Sequence, residues 1–405
     1  MKPLNYYFIG AGSWFLAFGI QSVVFAWLVT MALNETADRV GIAQMAFMLP
    51  TMIFVLLGGS LADHYGGKRM AIIGHILASL APLFLAMTVL TGELTYTSVI
   101  IFAVIMGTAQ ALITPARDGL LPLVAAGKIQ RLVVQVSMIQ FGIQAFGFLI
   151  AAFADDLGAA TMLLLQMTAL LIGMFAFIKL KLPYQPPAKA DSHLFKQIAE
   201  SVKEGFQTVK ASPDLRIVAF QNMAMGTFFM GSYIVTIPLL IREFYQGGSV
   251  ELSWLNGANS AGIVLTILYL MRKGDIQRQG RALLLAQGFG SVALACGGLG
   301  LGFYTLLASV FVWGMCGGFA LTMSRTIMQE RAPEKQRARI MAFYSFSLLG
   351  AVPLGALLSG YLVRWLGPSD ALLVSCFSML VFVLFTSLRS VLWGLDAKSA
   401  TNCSV

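Results

Sequence analysis

The stretch Gly58-Gly59-Ser60-Leu61-Ala62-Asp63-His64-Tyr65-Gly66-Gly67-Lys68-Arg69 lies between two long apolar runs, Val40 to Leu57 and Met70 to Leu90. Its twelve residues hold one acid, two bases and four glycines, which makes it too polar for the hydrocarbon core of a bilayer. It is also too short and too rich in glycine to form a domain. The stretch therefore predicts a tight turn that joins two hydrophobic helices on one side of a membrane.

The composition of the whole chain agrees with a membrane location. Of its 405 residues 58% are hydrophobic and 11% are charged, whereas about 25% of the residues of a soluble protein are charged. The mean hydropathy is +0.80. A membrane-spanning helix needs roughly 20 mostly apolar residues, and the chain offers about twelve such runs. We therefore expect an all-α membrane protein with 12 transmembrane helices.

The apolar runs and the basic residues together predict an orientation. The predicted helices are 8–33, 40–61, 70–90, 96–121, 131–154, 159–180, 215–240, 252–271, 282–302, 304–329, 339–363 and 370–394. An even number of crossings places both termini on one side. With that side inside, only Arg39, Arg242 and Arg364 fall in outer loops, which leaves 24 of the 27 Lys and Arg residues inside. This bias follows the positive-inside rule and predicts that both termini lie in the cytoplasm.

The net charge of +9 is explained by this orientation, because the basic residues are concentrated in the inner loops. We therefore expect the lipid bilayer as a partner, and no nucleic acid. We also expect a monomer.

One long polar stretch divides the chain into an N-terminal six-helix bundle (1–180), a cytoplasmic linker (181–212) and a C-terminal six-helix bundle with a short tail (213–405). Apolar residues recur in the linker at helical spacing and predict an amphipathic helix on the inner membrane face: Leu194, Phe195, Ile198, Val202, Phe206 and Val209. Ser212 and Pro213 have the residue types of an N-cap and a first helical position. A solvated connector and a regulatory element both remain open for this linker.

The two bundles show signs of an internal repeat. A spacing of 208 residues separates Arg117 from Arg325 and Arg131 from Arg339. The same spacing separates two glycine pairs, Gly142 from Gly350 and Gly147 from Gly355. Parallel repeats of this kind are typical of transporters whose central site lies between the halves, so we expect a 6+6 pseudo-two-fold arrangement.

In this context Gly58-x-x-Leu61-Ala62-Asp63-x-x-Gly66-x-Lys68-Arg69 resembles the signature loop of the major facilitator superfamily. Thr114-Pro115-Ala116-Arg117 and Gln329-Glu330-Arg331-Ala332-Pro333 resemble segments of its drug and siderophore efflux branch, which holds the enterobactin exporter and the macrolide efflux proteins. The likeness extends over nearly the whole chain. It implies the major facilitator fold in a bacterial inner (plasma) membrane and the export of an amphipathic small-molecule cargo by alternating access, with exchange for protons as the expectation for the family.

The resemblance also implies that this loop latches the two halves on the inner side in the outward-facing state. Asp63 can accept hydrogen bonds from a helix amino terminus or pair with a base such as Arg117. The residues expected at this gate are Gly58, Gly59, Asp63, Gly66, Lys68, Arg69, Arg117, Asp118 and Arg325. In the second half Asp275 and Arg281 repeat the six-residue spacing of Asp63 and Arg69, and this loop is either a second latch or a basic loop that only sets orientation.

The predicted membrane interior holds neutral polar side chains rather than acids. The arginine that many drug/proton antiporters carry midway along helix four is missing, as is the acid often found in helix one of this branch. Asp63, Asp118, Glu35 and Asp38 remain as groups that could titrate. For His75 both a proton relay and a packing role are open.

The candidate cargo contacts recur at helical spacing along several helices: Trp14, Gln21, Ser22, Phe25, Gln110, Gln140, Gln144, Gln221, Asn222, Asn256 and Asn259. The alternative role for each is an interhelical hydrogen bond. As a set they favour a neutral or amphipathic cargo, because a strongly charged cargo requires a buried opposite charge.

The sequence favours a transporter over other classes of membrane protein. It has neither a metal-ligand cluster nor a Ser/His/Asp set, so we expect no metal, no cofactor and no catalytic residue. Uptake of a metabolite and flipping of a lysolipid remain open for the same fold. A non-transporting receptor is disfavoured, because the predicted outer loops are short.

Overall fold

The computed structural model describes residues 3–124, 129–182, 204–274, 276–333 and 336–395. Within these ranges all regular structure is helical and no strand occurs.

The first half of the chain contains six long helices, which end within a few residues of their predicted positions. They are α1 (Pro3–Trp27, continued by a π-helical turn Leu28–Ala32), α2 (Ala37–Tyr65), α3 (Gly67–Leu90), α4 (Tyr96–Val124), α5 (Ile129–Ala151) and α6 (Ala154–Lys179).

The second half continues with seven helical segments. They are α7 (Pro213–Tyr245, with π-helical turns at Met225–Gly231 and Ile241–Tyr245), α8 (Ser249–Lys273), α9 (Gln279–Gly298), α10 (Phe303–Arg331), α11 (Arg337–Leu349), α12 (Val352–Leu366) and α13 (Pro368–Arg389). A 3₁₀ turn follows at Val391–Gly394.

The break between α11 and α12 divides a helix that the sequence predicts as continuous over 339–363. Pro353 lies in the first turn of α12. Proline has no backbone N–H, and its ring clashes with the carbonyl four residues earlier, which weakens the helix at Gly350 and Ala351. Both residues keep right-handed helical φ and ψ values, and Arg339–Leu366 is long and apolar enough to cross a membrane as one span.

Nine helices in the described part of the chain are long and apolar enough to cross a membrane. The predicted total of twelve crossings stays a prediction.

The largest difference from the sequence prediction concerns Gly58–Arg69. The expected tight turn is wrong in extent, because α2 continues to Tyr65 and α3 begins at Gly67. Only Gly66 lies outside a helix, with φ at 90°. L-residues with a Cβ rarely adopt this value, so a single glycine makes the turn and Asp63 lies on the last turn of α2.

The described chain divides into two compact units. Unit 1 contains α1 to α6 together with Gln246–Gly257, and unit 2 contains α7, α8 from Ala258 onward, and α9 to α13. The inclusion of the amino end of α8, Ser249–Gly257, in unit 1 has no counterpart in the sequence prediction. The division at 181–212 stays a prediction.

In each unit, two helices are in close contact at a glycine of the predicted repeat. A Cβ at Gly147 of α5 would overlap the backbone of α1 at Leu16 and Gly19. A Cβ at Gly355 of α12 would overlap the backbone of α7 at Thr227. Because Gly147 and Gly355 are 208 residues apart, the equivalent contact in each unit supports the predicted repeat.

The helix start at Ser212 and Pro213 is confirmed. The Ser212 hydroxyl accepts a hydrogen bond from the Leu215 backbone N–H, and Pro213 is the first residue of α7. Most of the predicted amphipathic helix lies outside the described residues, and its last part is helical over 204–211.

Candidate functional site

The glycines of the signature stretch set how closely α2 and α3 approach α4. A Cβ at Gly58 would overlap the Ala111 carbonyl, and a Cβ at Gly67 would lie 3.0 Å from the Ala116 carbonyl oxygen. Gly59 has more space, since its nearest neighbour would be the Pro115 Cβ at 3.9 Å. Glycine is therefore needed at 58 for direct helix contact.

The bases of the stretch have different surroundings. Lys68 donates from Nζ to the Ile178 carbonyl oxygen at 2.9 Å, near the carboxyl end of α6. A cation there satisfies one of the orphan carbonyls and is favoured by the helix dipole. Arg69 is exposed.

The side chain of Asp63 lies outside the described residues, as does all of Asp275, so their roles in a latch stay predictions.

Arg117 is the buried charge of this region. Its side chain is 9% exposed, and Nε and Nη2 donate to Asp118 Oδ1 at 3.1 and 3.0 Å. The guanidinium carbon lies 4.6 Å from the ring centroid of Phe15 in α1. The Tyr7 hydroxyl donates to the Arg117 carbonyl oxygen at 3.3 Å. Arg117 thus joins the carboxyl-terminal part of α4 to α1 by a cation–π contact and a hydrogen bond.

One donor of Arg117 is unused. Among the described residues its Nη1 is buried and has no hydrogen-bond partner. An unpaired buried donor of a charged group is costly, and a carboxylate would satisfy it well. Arg325, the predicted counterpart of Arg117, is exposed. The two arginines therefore differ in burial.

Several candidate cargo contacts in unit 1 pack inside the bundle. Gln21 is 3% exposed and accepts from Gln166 Nε2 at 3.0 Å, which joins α1 to α6. Phe25 stacks on Phe102 of α4 with 5.9 Å between ring centroids. These contacts match the interhelical alternative, and a role in cargo binding stays a prediction.

His75 also lies inside unit 1, and its exposed fraction is 0%. Its Nδ1 donates to the Ala71 carbonyl oxygen at 2.7 Å. Its ring packs edge-on to Trp14 at 5.9 Å and against Phe177 at 5.2 Å. These aromatic neighbours support the packing role over the relay.

The remaining candidates of unit 1 are more accessible or bond within their own helix. Ser22 donates to the Phe18 carbonyl oxygen at 2.7 Å, and Asn256 donates to the Leu252 carbonyl oxygen at 2.8 Å. Gln110, Gln140 and Gln144 are half-buried.

In unit 2 Gln221 and Asn222 are both fully buried in α7. Gln221 Nε2 donates to Thr386 Oγ1 of α13 at 2.6 Å. In the described structure neither side-chain polar atom of Asn222 has a partner. Asn259 is half-buried, and its backbone is in close contact with Gly314.

The sequence prediction did not include an aromatic cluster in unit 2. Trp313 of α10 stacks on Tyr233 with 4.9 Å between centroids and meets Phe229 edge-on at 5.8 Å. Phe229 and Tyr233 are four residues apart on α7 and thus share a face, which is the signal that sequence analysis could have used. Gln166 was also missed, because no spacing pairs it with Gln21.

The Gln21–Gln166 pair leads to a first prediction. Gln21→Leu should lower the melting temperature, because it leaves the buried Gln166 amide without its partner, at a cost of about 1–3 kcal/mol. Adding Gln166→Leu should recover much of the loss, since both polar groups are then removed. Thermal unfolding of the purified variants would measure this, with the half-buried Gln140→Leu as a matched control. A double variant that loses the sum of the two single effects would contradict a direct bond.

Among the described residues, no group of three or more His, Cys, Asp and Glu side chains could hold a metal ion. Among the described Asp, Glu, Lys, Arg and His side chains, the buried ones are His75 and Arg117.

The long apolar helices and the close glycine packing define a multi-pass membrane protein. The chain belongs to the Major Facilitator Superfamily, whose sequence model matches residues 7–347 and 222–399. It is therefore a transporter of this superfamily.

Among relatives, the chain is 23% identical to the multidrug efflux pump Tap of Mycobacterium tuberculosis over 84% of this chain and 82% of that one. It is 20% identical to macrolide efflux protein A of Streptococcus pyogenes over 98% of both chains. A shorter match, 29% identical, covers 35% of this chain and only 34% of the uncharacterised transporter YwfA of Bacillus subtilis.

Among solved structures, the nucleoside transporter NupG superposes with a TM-score of 0.74 at 14% identity, covering 95% of this chain and 98% of that one. At this identity the likeness shows the fold alone.

Proposed function

We propose that the protein is a secondary active transporter that exports an amphipathic small molecule by alternating access, in exchange for protons. It acts in the bacterial inner membrane with both termini in the cytoplasm. The observation that carries the proposal is the character of the buried polar groups. Apart from His75 and Arg117, all fully buried polar side chains of the described helices are amides or hydroxyls.

Neutral buried groups suit a cargo without a strong charge. An amide or hydroxyl can donate or accept a hydrogen bond, and the apolar walls around it favour the apolar part of an amphipathic molecule. A cargo with several charges, or with one localised charge, would require a buried counter-charge, because an unpaired charge in the membrane is costly. A single positive charge that is spread over aromatic rings, as in ethidium, is less costly to bury and can be bound by aromatic side chains through cation–π contacts. The names of Tap and macrolide efflux protein A, which align over most of the chain, support export and a drug-like cargo.

A second candidate function is uptake, because the fold, which is shared with the nucleoside transporter NupG, does not by itself set the direction of transport. The direction separates the two. We expect expression in a bacterial host without its own drug efflux pumps to lower the accumulation of ethidium and erythromycin and to raise resistance to both. Increased accumulation of either compound would favour uptake instead.

The latch at the end of α2 gives a second prediction. Asp63→Asn should reduce ethidium efflux about tenfold, which corresponds to about 1.4 kcal/mol, while membrane insertion is unchanged. The loss follows if the carboxylate stabilises one transport state through a charged base. Glu93→Gln, which removes an exposed acid from the loop between α3 and α4, is the control. Wild-type efflux in Asp63→Asn would refute the latch.

A further inference from the structure

Within unit 1, the carboxylate of Asp155 joins α1 and α6 to the amino end of α8. Asp155 lies in the first turn of α6, and its Oδ1 accepts from Trp27 Nε1 at the carboxyl end of α1, at 2.6 Å. Its Oδ2 accepts from the Ser249 backbone N–H at 2.6 Å and from the Ser249 hydroxyl at 2.8 Å. Ser249 is the first residue of α8. The two oxygens of this side chain thus accept hydrogen bonds from residues that lie 128 and 94 positions away in the sequence.

The contact is a mutual cap of two helix amino termini. Asp155 accepts the Ser249 N–H of α8, and in return the Ser249 hydroxyl oxygen lies 3.2 Å from the Asp155 N–H of α6 as its acceptor. The first N–H groups of a helix have no partner within the helix, and helix amino termini carry partial positive charge. A carboxylate placed at both termini stabilises both, which a neutral amide does much less well.

The local sequence is adapted to this contact. Gly248 precedes α8 and has no side chain to cap it, so the cap comes from Asp155. A Cβ at Gly248 would overlap Asp155 Oδ2. Glu251 accepts the Gly248 N–H at 2.7 Å. Glycine at 248 therefore allows the close approach, and Glu251 satisfies the next donor.

The burial of the partners differs from that of Asp155 itself. Ser249 is fully buried and Trp27 is 8% exposed, whereas Asp155 is exposed to solvent. Water can therefore reach the carboxylate and replace its partners when α8 moves away. Such a contact can form and break at low cost, unlike a fully buried charge pair.

From this geometry we propose that Asp155 is an outer positioning residue of the transport cycle. It holds the amino end of α8 against α1 and α6 while the outer side is closed, and it releases that end when the outer side opens. The inference rests on the proposed alternating access and on the predicted outer position of these helix ends. α8 is one continuous helix whose later part belongs to unit 2. A bond at Ser249 therefore restrains the position of the whole helix.

The test uses the full-length protein, purified in lipid nanodiscs, with its four native cysteines replaced by alanine. Spin labels on Glu93→Cys, an exposed residue of the predicted outer loop between α3 and α4, and on Tyr304→Cys, an exposed residue at the predicted outer end of α10, report distance populations of the outer side. Asp155→Asn is compared with Asp156→Asn. Asp156 is the adjacent, equally exposed acid and takes no part in the four bonds described above.

We expect Asp155→Asn to change the ratio of the outer-open to the outer-closed population about tenfold, a change of about 1.4 kcal/mol. Asp156→Asn should leave the ratio unchanged, and Ser249→Ala should shift it in the same direction as Asp155→Asn. Equal populations in Asp155→Asn and the parent would overturn the proposal, as would a lowered melting temperature without a population change. Because this readout needs no cargo, failure of ethidium export would affect the proposed function without deciding the role of Asp155.

Discussion

Gly107→Ala is expected to abolish most of the folded protein in the membrane. A Cβ at Gly107 of α4 would overlap the Phe47 carbonyl of α2 and would lie 3.4 Å from the Pro50 Cβ. The overlapping atom belongs to the backbone and cannot rotate away, so α2 and α4 would have to separate. Thr51 also donates to the Gly107 carbonyl oxygen at 2.9 Å, and that bond would be strained. Overpacking of this kind costs about 1–3 kcal/mol.

The matched control is Gly119→Ala in the same helix. A Cβ at Gly119 would meet nothing within 4 Å, and alanine is about 0.8–1 kcal/mol better than glycine in a helix. The yield of monodisperse protein and its thermal unfolding should therefore fall for Gly107→Ala and stay equal or rise for Gly119→Ala. Equal stability of the two variants would show that α2 and α4 do not pack as described.

Arg117→Ala is expected to lower ethidium efflux at least tenfold. The substitution removes the cation–π contact with Phe15, which is worth about 0.5–2 kcal/mol, and the paired charge beside Asp118. It also removes the buried Nη1, the donor that we expect Asp63 to use. The inner ends of α1 and α4 would then lose the contact that holds them in one arrangement.

Arg216→Ala serves as the control for Arg117→Ala. Arg216 is an exposed arginine near the start of α7, and its replacement removes the same charge from the predicted inner side. We expect its efflux to match the parent. The double variant Asp63→Asn, Arg117→Ala should lose no more than Arg117→Ala alone if the two side chains act as one unit. Additive losses would separate the roles of Asp63 and Arg117.

The sequence predicts most of the long helices, because hydrophobic length is a strong local signal. The family follows from the resemblance of Gly58–Arg69 and Thr114–Arg117 to its motifs. Ser212 and Pro213 show how local chemistry fixes a helix start. The pair Gly147 and Gly355 shows that a repeat spacing can identify close helix contacts, since equivalent positions face equivalent neighbours.

Contacts between segments that are distant in the chain could not be predicted from the sequence. No local pattern indicates that Gln21 bonds Gln166, or that Asp155 caps the helix that begins at Ser249. The predicted end of the second helix at residue 61 is also too early, because a polar, glycine-rich stretch favours a turn, whereas α2 continues to Tyr65. Gly58 lies inside α2, where its missing side chain permits close packing against α4.

The central claim, proton-driven export, is tested most directly with inside-out membrane vesicles that contain the protein. The cytoplasmic face of the transporter then faces the medium, so an exporter moves ethidium into the vesicle. With an acidic lumen we expect ethidium accumulation well above that of vesicles with the Asp63→Asn variant, and its loss when an ionophore collapses the pH gradient. Accumulation no greater than in vesicles without the protein, or unchanged by the ionophore, would contradict the account.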